Sequence, residues 1–500
     1  MKKTLFLFVI LFAMLIPACE DIDNATLTDE EVVMLDTLKG SIVGRPTITS
    51  RYPAVSGTNF PISDYITLVF NEDMNASTIN TNTVKVYRNS NNEVVPGRIV
   101  YSAGVATFKP IFKFSFTTSD KIQSGLKQDE TYKVVLDTAN IKDVQGEVLN
   151  ATSTWTFKTA DLDFGIYFMN SDGEIEKSVA GRTNQFFDKS KPTLVYVHGW
   201  QKGSSKADFG RECPFFINSK FIKQLNTATL WKNKGWNIAI FYWSQFADEG
   251  EVKDAQAKVY KADNDRKDMR YSIRNATYKY YLNNTKTMTE LFYDNYTQVF
   301  SGYSGEIRMA GHSLGNQLAT SLMYKISTNV KNGVISSTYM PKRLAILDPF
   351  FSNSSEAACG NRYPGEVCRT WIKEMLPRDK FAFEYYKSSM LGGLIGDENK
   401  DERKMATFIK LNPTFMGTFD QADQHCYAYA WYTMSIAATV PTNVSGAVIG
   451  AAASNDQVKA TSNWSYTTNA SIASPYLWNN DGKKTAATTD DYFTKTSGVN

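Results

Sequence analysis

Histidine is nearly absent from this chain: three in 500 residues. That scarcity argues against a metal centre, since no histidine pair and no Cys-x-x-Cys spacing supplies ligands, and neither metal nor cofactor is expected. It also narrows acid–base chemistry to three imidazoles. His198 lies in Leu194-Val-Tyr-Val-His-Gly-Trp200 and His312 in Gly311-His-Ser-Leu-Gly315, two segments that read as scaffold around tight turns. His425 is left as the imidazole not already committed. Charge of one sign is missing too. Lys and Arg total 54 against 51 Asp and Glu, with no basic run, so nothing here is built to track a nucleic acid. No stretch beyond the first residues is long and apolar enough to be a transmembrane helix.

What the N-terminus does have is an export signal. Met1-Lys-Lys is a positive start, and Thr4 to Pro17 is an apolar run too short to span a bilayer, so residues 1–18 read as a signal peptide. Ile16-Pro-Ala-Cys19 resembles a bacterial lipobox, which implies Cys19 as a lipidated first residue and a membrane anchor through its acyl chains. Glu20, Asp21, Asp23, Asp29, Glu30 and Glu31 make residues 19–44 an acidic, solvated tether. The expected location is the bacterial cell envelope.

Four cysteines remain in an exported chain, an even number that suggests two disulfides. Cys359–Cys368 would close a short loop, contributing roughly 2–3 kcal/mol. Cys213–Cys426 would be the long-range bridge beside His425.

Residues 45–160 read as a small all-β sandwich. Alternating runs recur at 65–70, 83–87, 105–108, 131–136 and 154–157, separated by turn residues. Phe70-Asn-Glu-Asp-Met74, Phe108-Lys-Pro110, Thr131-Tyr132, Ile141-Lys-Asp143 with Gly146, and Trp155-Thr-Phe-Lys-Thr159 resemble the Ig-like modules of bacterial surface and S-layer proteins. The resemblance implies a spacer or a binding module, with spacer the default and no partner indicated.

From residue 161 to 440 the pattern becomes α/β. A hairpin is expected around Ser171-Asp-Gly173, then buried-strand runs at 193–197, 236–241, 307–310 and 343–347 with helical stretches such as 287–300 between them. Continuous apolar strands of this kind argue a mostly parallel sheet covered on both faces. Residues 441–500 are rich in Ser, Thr, Asn and Ala, and either pack loosely on this domain or add a strand to it.

Gly311-His-Ser-Leu-Gly315 sits between the strand 307–310 and a helical pattern at Leu314, Leu318, Leu322, Met323 and Ile326. A strand, a tight turn and a helix are what a nucleophile elbow needs, with glycines so that both elements approach Ser313 closely. An oxyanion hole is expected from the backbone N–H of Leu314 and of Trp200. Asp348, at the end of Arg343–Leu347 and before Pro349, is the expected acid, with Asp397 as its rival one strand later. His425 is expected on the last core loop, ahead of a helix at 427–436, as the base. His198 and His312 are expected to be structural.

Val197-His-Gly-Trp200, Phe241-Tyr-Trp-Ser244, Gly311–Gly315, Leu347-Asp-Pro349 and His425 with Tyr427, Tyr429 and Tyr432 resemble the pancreatic-type lipases, a group of α/β-hydrolases. The resemblance implies an α/β-hydrolase fold, an ester or lipid substrate, and an acid placed as Asp348 is. Trp200 departs from the Phe or Leu usual in that group, and 351–424 matches no familiar lid. The expectation is therefore a membrane-anchored serine hydrolase of carboxylic esters. Acyl hydrolysis of thioesters or amides, and a surface binding protein on a degenerate hydrolase fold, stand as alternatives.

Overall fold

The computed structural model describes residues 44–116, 124–437, 440–441 and 448–499. The signal peptide, Cys19 and nearly all of the acidic tether lie outside the described residues.

The N-terminal sandwich forms from two four-stranded sheets. One orders Ile48–Tyr52, Ile66–Phe70, Val105–Pro110 and Gly97–Ser102; the other orders Gly57–Phe60, Thr154–Thr159, Thr131–Leu136 and Val84–Arg88. The cause is period-two patterning. In Thr131–Leu136 and Ile66–Phe70 every second side chain is buried, so each strand turns one face to a shared core.

Beyond it lies one mixed sheet of eleven strands. Its centre is parallel, in the order Asn237–Tyr242, Thr193–Val197, Ile307–His312, Arg343–Leu347, Ala382–Lys387, Thr407–Lys410 and Tyr476–Asn480. Every residue of Thr193–Val197, Ile307–His312 and Arg343–Leu347 is buried, because helices cover both faces. Val195 and Val197 join the apolar cluster that includes Met288, Leu318, Leu322 and Ile372 from helices Met288–Val299, Gly315–Lys331 and Pro364–Asp379. Leu194 and Tyr196 face the other way, toward Tyr427 and Trp431 of helix Gln421–Met434.

The C-terminal segment does more than pack loosely. Tyr476–Asn480 adds in parallel to Thr407–Lys410, and Phe493–Ser497 closes the edge antiparallel. Two buried arginines tie it in: Arg343 Nη2 donates to the Ala453 carbonyl and Arg308 Nη1 to that of Ala451. Arg343 is charge-matched by Glu384 at 3.5 Å, both side chains fully buried.

The sandwich is joined to this sheet rather than tethered beside it. Phe112–Lys113 pairs antiparallel with Glu174–Lys177, Phe116 stacks on Phe216, and Arg88 forks onto Asp208 at 2.6 and 2.9 Å. The expectation of a spacer did not anticipate this shared β-edge.

The expected disulfides are absent: Cys213, Cys359, Cys368 and Cys426 form none. Cys368 is buried in helix Pro364–Asp379 with its thiol 3.4 Å from the Tyr260 hydroxyl. Cys359 ends the turn Ala357–Cys359, and burial pushes its thiol up to about 12. Cys213 and Cys426 belong to one apolar cluster without bridging. Buried thiols act as small apolar side chains, so an even number of cysteines does not compel oxidation.

Candidate active site

The elbow is built by close approach of three backbones. Ile307–His312 ends, Ser313 takes φ +52°, and helix Gly315–Lys331 begins two residues later. A left-handed conformation at a non-glycine residue is strained and persists only when its surroundings over-determine it. Here they do. A Cβ on Gly315 would stand 2.3 Å from the Val197 carbonyl oxygen, and one on Gly199 would stand 2.7 Å from Ser313 Cβ. Ser313 N–H donates to the Leu347 carbonyl at 3.1 Å, and Asn316 Nδ2 holds the Ser313 carbonyl.

Asp348 follows Arg343–Leu347, buried and itself at φ +42°. Its Oδ1 accepts from the backbone N–H of Ser388 at 2.8 Å and of Ser389 at 3.1 Å. Its Oδ2 accepts from the Ser389 hydroxyl and stands 2.5 Å from His425 Nδ1. Burial alone would raise this carboxyl's pKa. The hydrogen bond and charge of His425, with the serine donors, outweigh it and hold Asp348 at about 2. Asp397 is elsewhere, on the loop after Leu391–Ile395, accepting from the Asn399 N–H at 2.9 Å.

His425 is on a helix, not on a loop ahead of one. Gln421–Met434 begins four residues before it. Gln421-Ala-Asp-Gln424 carries no apolar stripe, so periodicity marks the helix only from 427. The His425 side chain is 17 % exposed. Its ring lies 4.5 Å, centroid to centroid, from that of His312, the residue before Ser313. Among the described residues the Ser313 hydroxyl makes no hydrogen bond within the protein.

His198 is scaffold. It is fully buried, and its Nε2 accepts the Trp243 backbone N–H at 3.1 Å, so Nδ1 carries the hydrogen it shares with the Gly199 carbonyl at 2.9 Å. Burial pushes its pKa down to about 4, keeping it neutral. It thereby shapes the turn into Trp200. The rest of that turn is pinned from 247–249: Gln201 N–H donates to the Ala247 carbonyl, Trp200 Nε1 to that of Glu249, and Gly203 and Ser205 N–H to the Asp248 carboxylate. Glu249 is anchored in turn by Lys258 at 2.6 Å, both fully buried. Neither the Trp200 nor the Leu314 backbone N–H has an acceptor among the described residues.

Sequence reasoning missed Ser388 and Ser389, which hold the Asp348 carboxylate. Ser388 directly follows the strand Ala382–Lys387, which pairs with Arg343–Leu347. Its role depends on strand order across the sheet.

Residues 43–159 match a family model described as a bacterial Ig-like domain. This segment is thus similar to bacterial Ig-like domains. No curated protein matches the chain. Among solved structures, a lipase/esterase from Lactobacillus plantarum is 9 % identical, covers 48 % of this chain and 83 % of its own, with TM-score 0.24. The N-terminal part of a bacterial S-layer protein is 16 % identical over 32 % of this chain and 42 % of its own, TM-score 0.19. A prohormone-processing carboxypeptidase from Saccharomyces cerevisiae is 13 % identical over 45 % of this chain and 39 % of its own, TM-score 0.21. The chain spans between 18 % and 42 % of the S-layer structures it matches. These scores are too low to bear on what the Ig-like domain's neighbour does.

Proposed function

We propose that residues 161–440 carry a serine hydrolase of carboxylic esters on an α/β-hydrolase fold, with Ser313 as nucleophile, His425 as base and Asp348 as acid. The observation that carries this reading is the His425–Asp348 contact of 2.5 Å next to a serine held at φ +52° on a strand–helix turn. Asp348 fixes the imidazole with Nδ1 protonated, leaving Nε2 to take the Ser313 proton as the hydroxyl attacks an acyl carbon. The N–H groups of Leu314 and Trp200 receive the oxyanion, each typically contributing about 3 kcal/mol to the transition state. Collapse expels the alcohol, protonated by His425, and leaves an acyl-Ser313. Water, deprotonated by the same imidazole, then releases the acid. Nucleophile–base hydrogen bonds are often long before substrate binds and tighten on binding it.

In this reading the protein is a lipase or esterase displayed on the bacterial cell envelope. Cys19 would anchor it to a membrane, and the Ig-like domain, a type of module that fits a surface protein, would form one body with it. The test is turnover of p-nitrophenyl esters from acetate to palmitate, with thioester and anilide analogues alongside. The expected result is ester turnover lost by about 10⁴-fold in Ser313→Ala. Wild type no faster than Ser313→Ala on every acyl donor would reject the hydrolase reading.

A further inference from the structure

Glu212 is a buried carboxylate that the proposed chemistry leaves unused. It lies on the long connection between Thr193–Val197 and Asn237–Tyr242, four residues beyond the Asp208 that bonds the Ig-like domain's Arg88. Three groups surround it. Tyr196 Oη donates to Oε1 at 2.5 Å, Gln201 Nε2 donates to Oε2 at 3.2 Å, and His312 Nδ1 stands 3.4 Å from Oε1 without forming a hydrogen bond. Burial would push this carboxyl up, yet the His312 charge beside it and the Tyr196 hydrogen bond hold it at about 2.

His312 connects that charge to the site. Its Nε2 faces the backbone carbonyl of His425 at 3.3 Å, and only a ring N–H can donate to a carbonyl. Tyr429, one turn further along the same helix, meets the His312 ring edge-on at 4.9 Å. His425 is therefore gripped twice. Asp348 holds its side chain, and a second carboxylate, acting through a second imidazole, holds its main chain.

We propose that Glu212 is a positioning residue: through His312 it fixes the start of helix Gln421–Met434, and with it the distance from the His425 ring to Ser313. The inference rests on the hydrolase reading above. Misplacing a catalytic group by about 1 Å can cost on the order of 10²-fold in rate.

The test is a double-mutant cycle in the full chain with Glu212→Gln and His312→Gln, reading kcat and KM separately on the best p-nitrophenyl ester. Each single variant is expected to lower kcat by about 10–100-fold with KM held within about twofold, and the double variant to fall no further than the worse single. Losses that multiply, or that appear in KM alone, overturn the proposal. A second arm does not depend on turnover. With three histidines in the chain, ring ¹⁵N resonances are separable. Glu212→Gln should move the His312 and His425 signals and leave His198 in place; an unmoved His425 overturns the proposal even if wild type proves inert to esters. Should Glu212→Gln fail to fold, Tyr196→Phe removes only the hydroxyl that steadies Glu212. It is expected to give a smaller kcat loss and the same His425 displacement, and neither effect appearing counts against the relay.

Discussion

Replacing Asp348 by Asn changes two atoms' chemistry and leaves shape almost untouched, so its effect can be worked out donor by donor. Four hydrogens point at the carboxylate: the backbone N–H of Ser388 and Ser389 at Oδ1, and the Ser389 hydroxyl and His425 Nδ1–H at Oδ2. An amide has one oxygen and one NH₂ to offer. If the NH₂ faced the two backbone donors, neither could turn away, at roughly 1–3 kcal/mol for each buried donor left unpaired. The oxygen therefore stays with the backbone, and the NH₂ faces Ser389 and His425. The serine hydroxyl can rotate to accept. The imidazole can accept only by moving its hydrogen to Nε2, which then cannot take the Ser313 proton. The fold survives, and the base of the proposed mechanism is lost. The expected fall in kcat is about 10⁴-fold, or about 5.5 kcal/mol of transition-state stabilisation, with KM little changed. Steady-state kinetics on a p-nitrophenyl ester with a thermal melt on the same sample reads both halves of the argument. Asp397→Asn, 2.9 Å from Asn399 N–H and away from His425, should stay near wild type. A loss below tenfold in Asp348→Asn, or an equal loss in Asp397→Asn, would refute the tautomer argument.

Further expectations follow from the same contacts. Gly315→Val puts a side chain against the Val197 and His198 carbonyl oxygens, 2.3 and 2.5 Å from its Cβ, and backbone cannot yield cheaply. Differential scanning fluorimetry should show destabilisation of at least about 1–3 kcal/mol, with activity lost in the fraction that folds. Arg343→Ala strands Glu384 in the core and drops the Ala453 carbonyl, so unfolding should become easier by about 3–5 kcal/mol in a urea titration, with ester turnover retained where folded. Asp348 and Glu212 both titrate at about 2 when folded, below an ordinary carboxyl near 4. Their contribution to stability is thus complete above about pH 4 and is lost as pH falls through about 2, a window that melts between pH 2 and 6 would reveal. Glu212→Gln should flatten that acid limb relative to wild type.

Much of the scaffold was legible because its signals are local. The all-buried strand Thr193–Val197 is a run of apolar and β-branched residues, and the sandwich strand Thr131–Leu136 alternates with period two. Gly311 and Gly315 around Ser313, between an apolar strand and an amphipathic helix, mark a turn that few other residues permit. Other features were hidden for a physical reason. The start of helix Gln421–Met434 carries polar residues on every face, so no stripe announced it. The tail's strand Tyr476–Asn480 joins a sheet whose edge, Thr407–Lys410, is far away in sequence.

The sequence by itself determined the tight turn around Ser313, the positions of the buried strands along the chain and, through the scarcity of histidine, the expectation that fell on His425. Those follow from periodicity, glycine placement and composition, which are properties of neighbours along the chain. Only the tertiary structure decided that Asp348, 77 positions from His425, and not Asp397, meets its ring. It also decided that two serine N–H groups steady that carboxylate, that the four described cysteines form no disulfide, and that Glu212 stands behind His312. Each of these depends on which strand ends and loops meet at one edge of the sheet, and strand order is set by the packing of the whole chain.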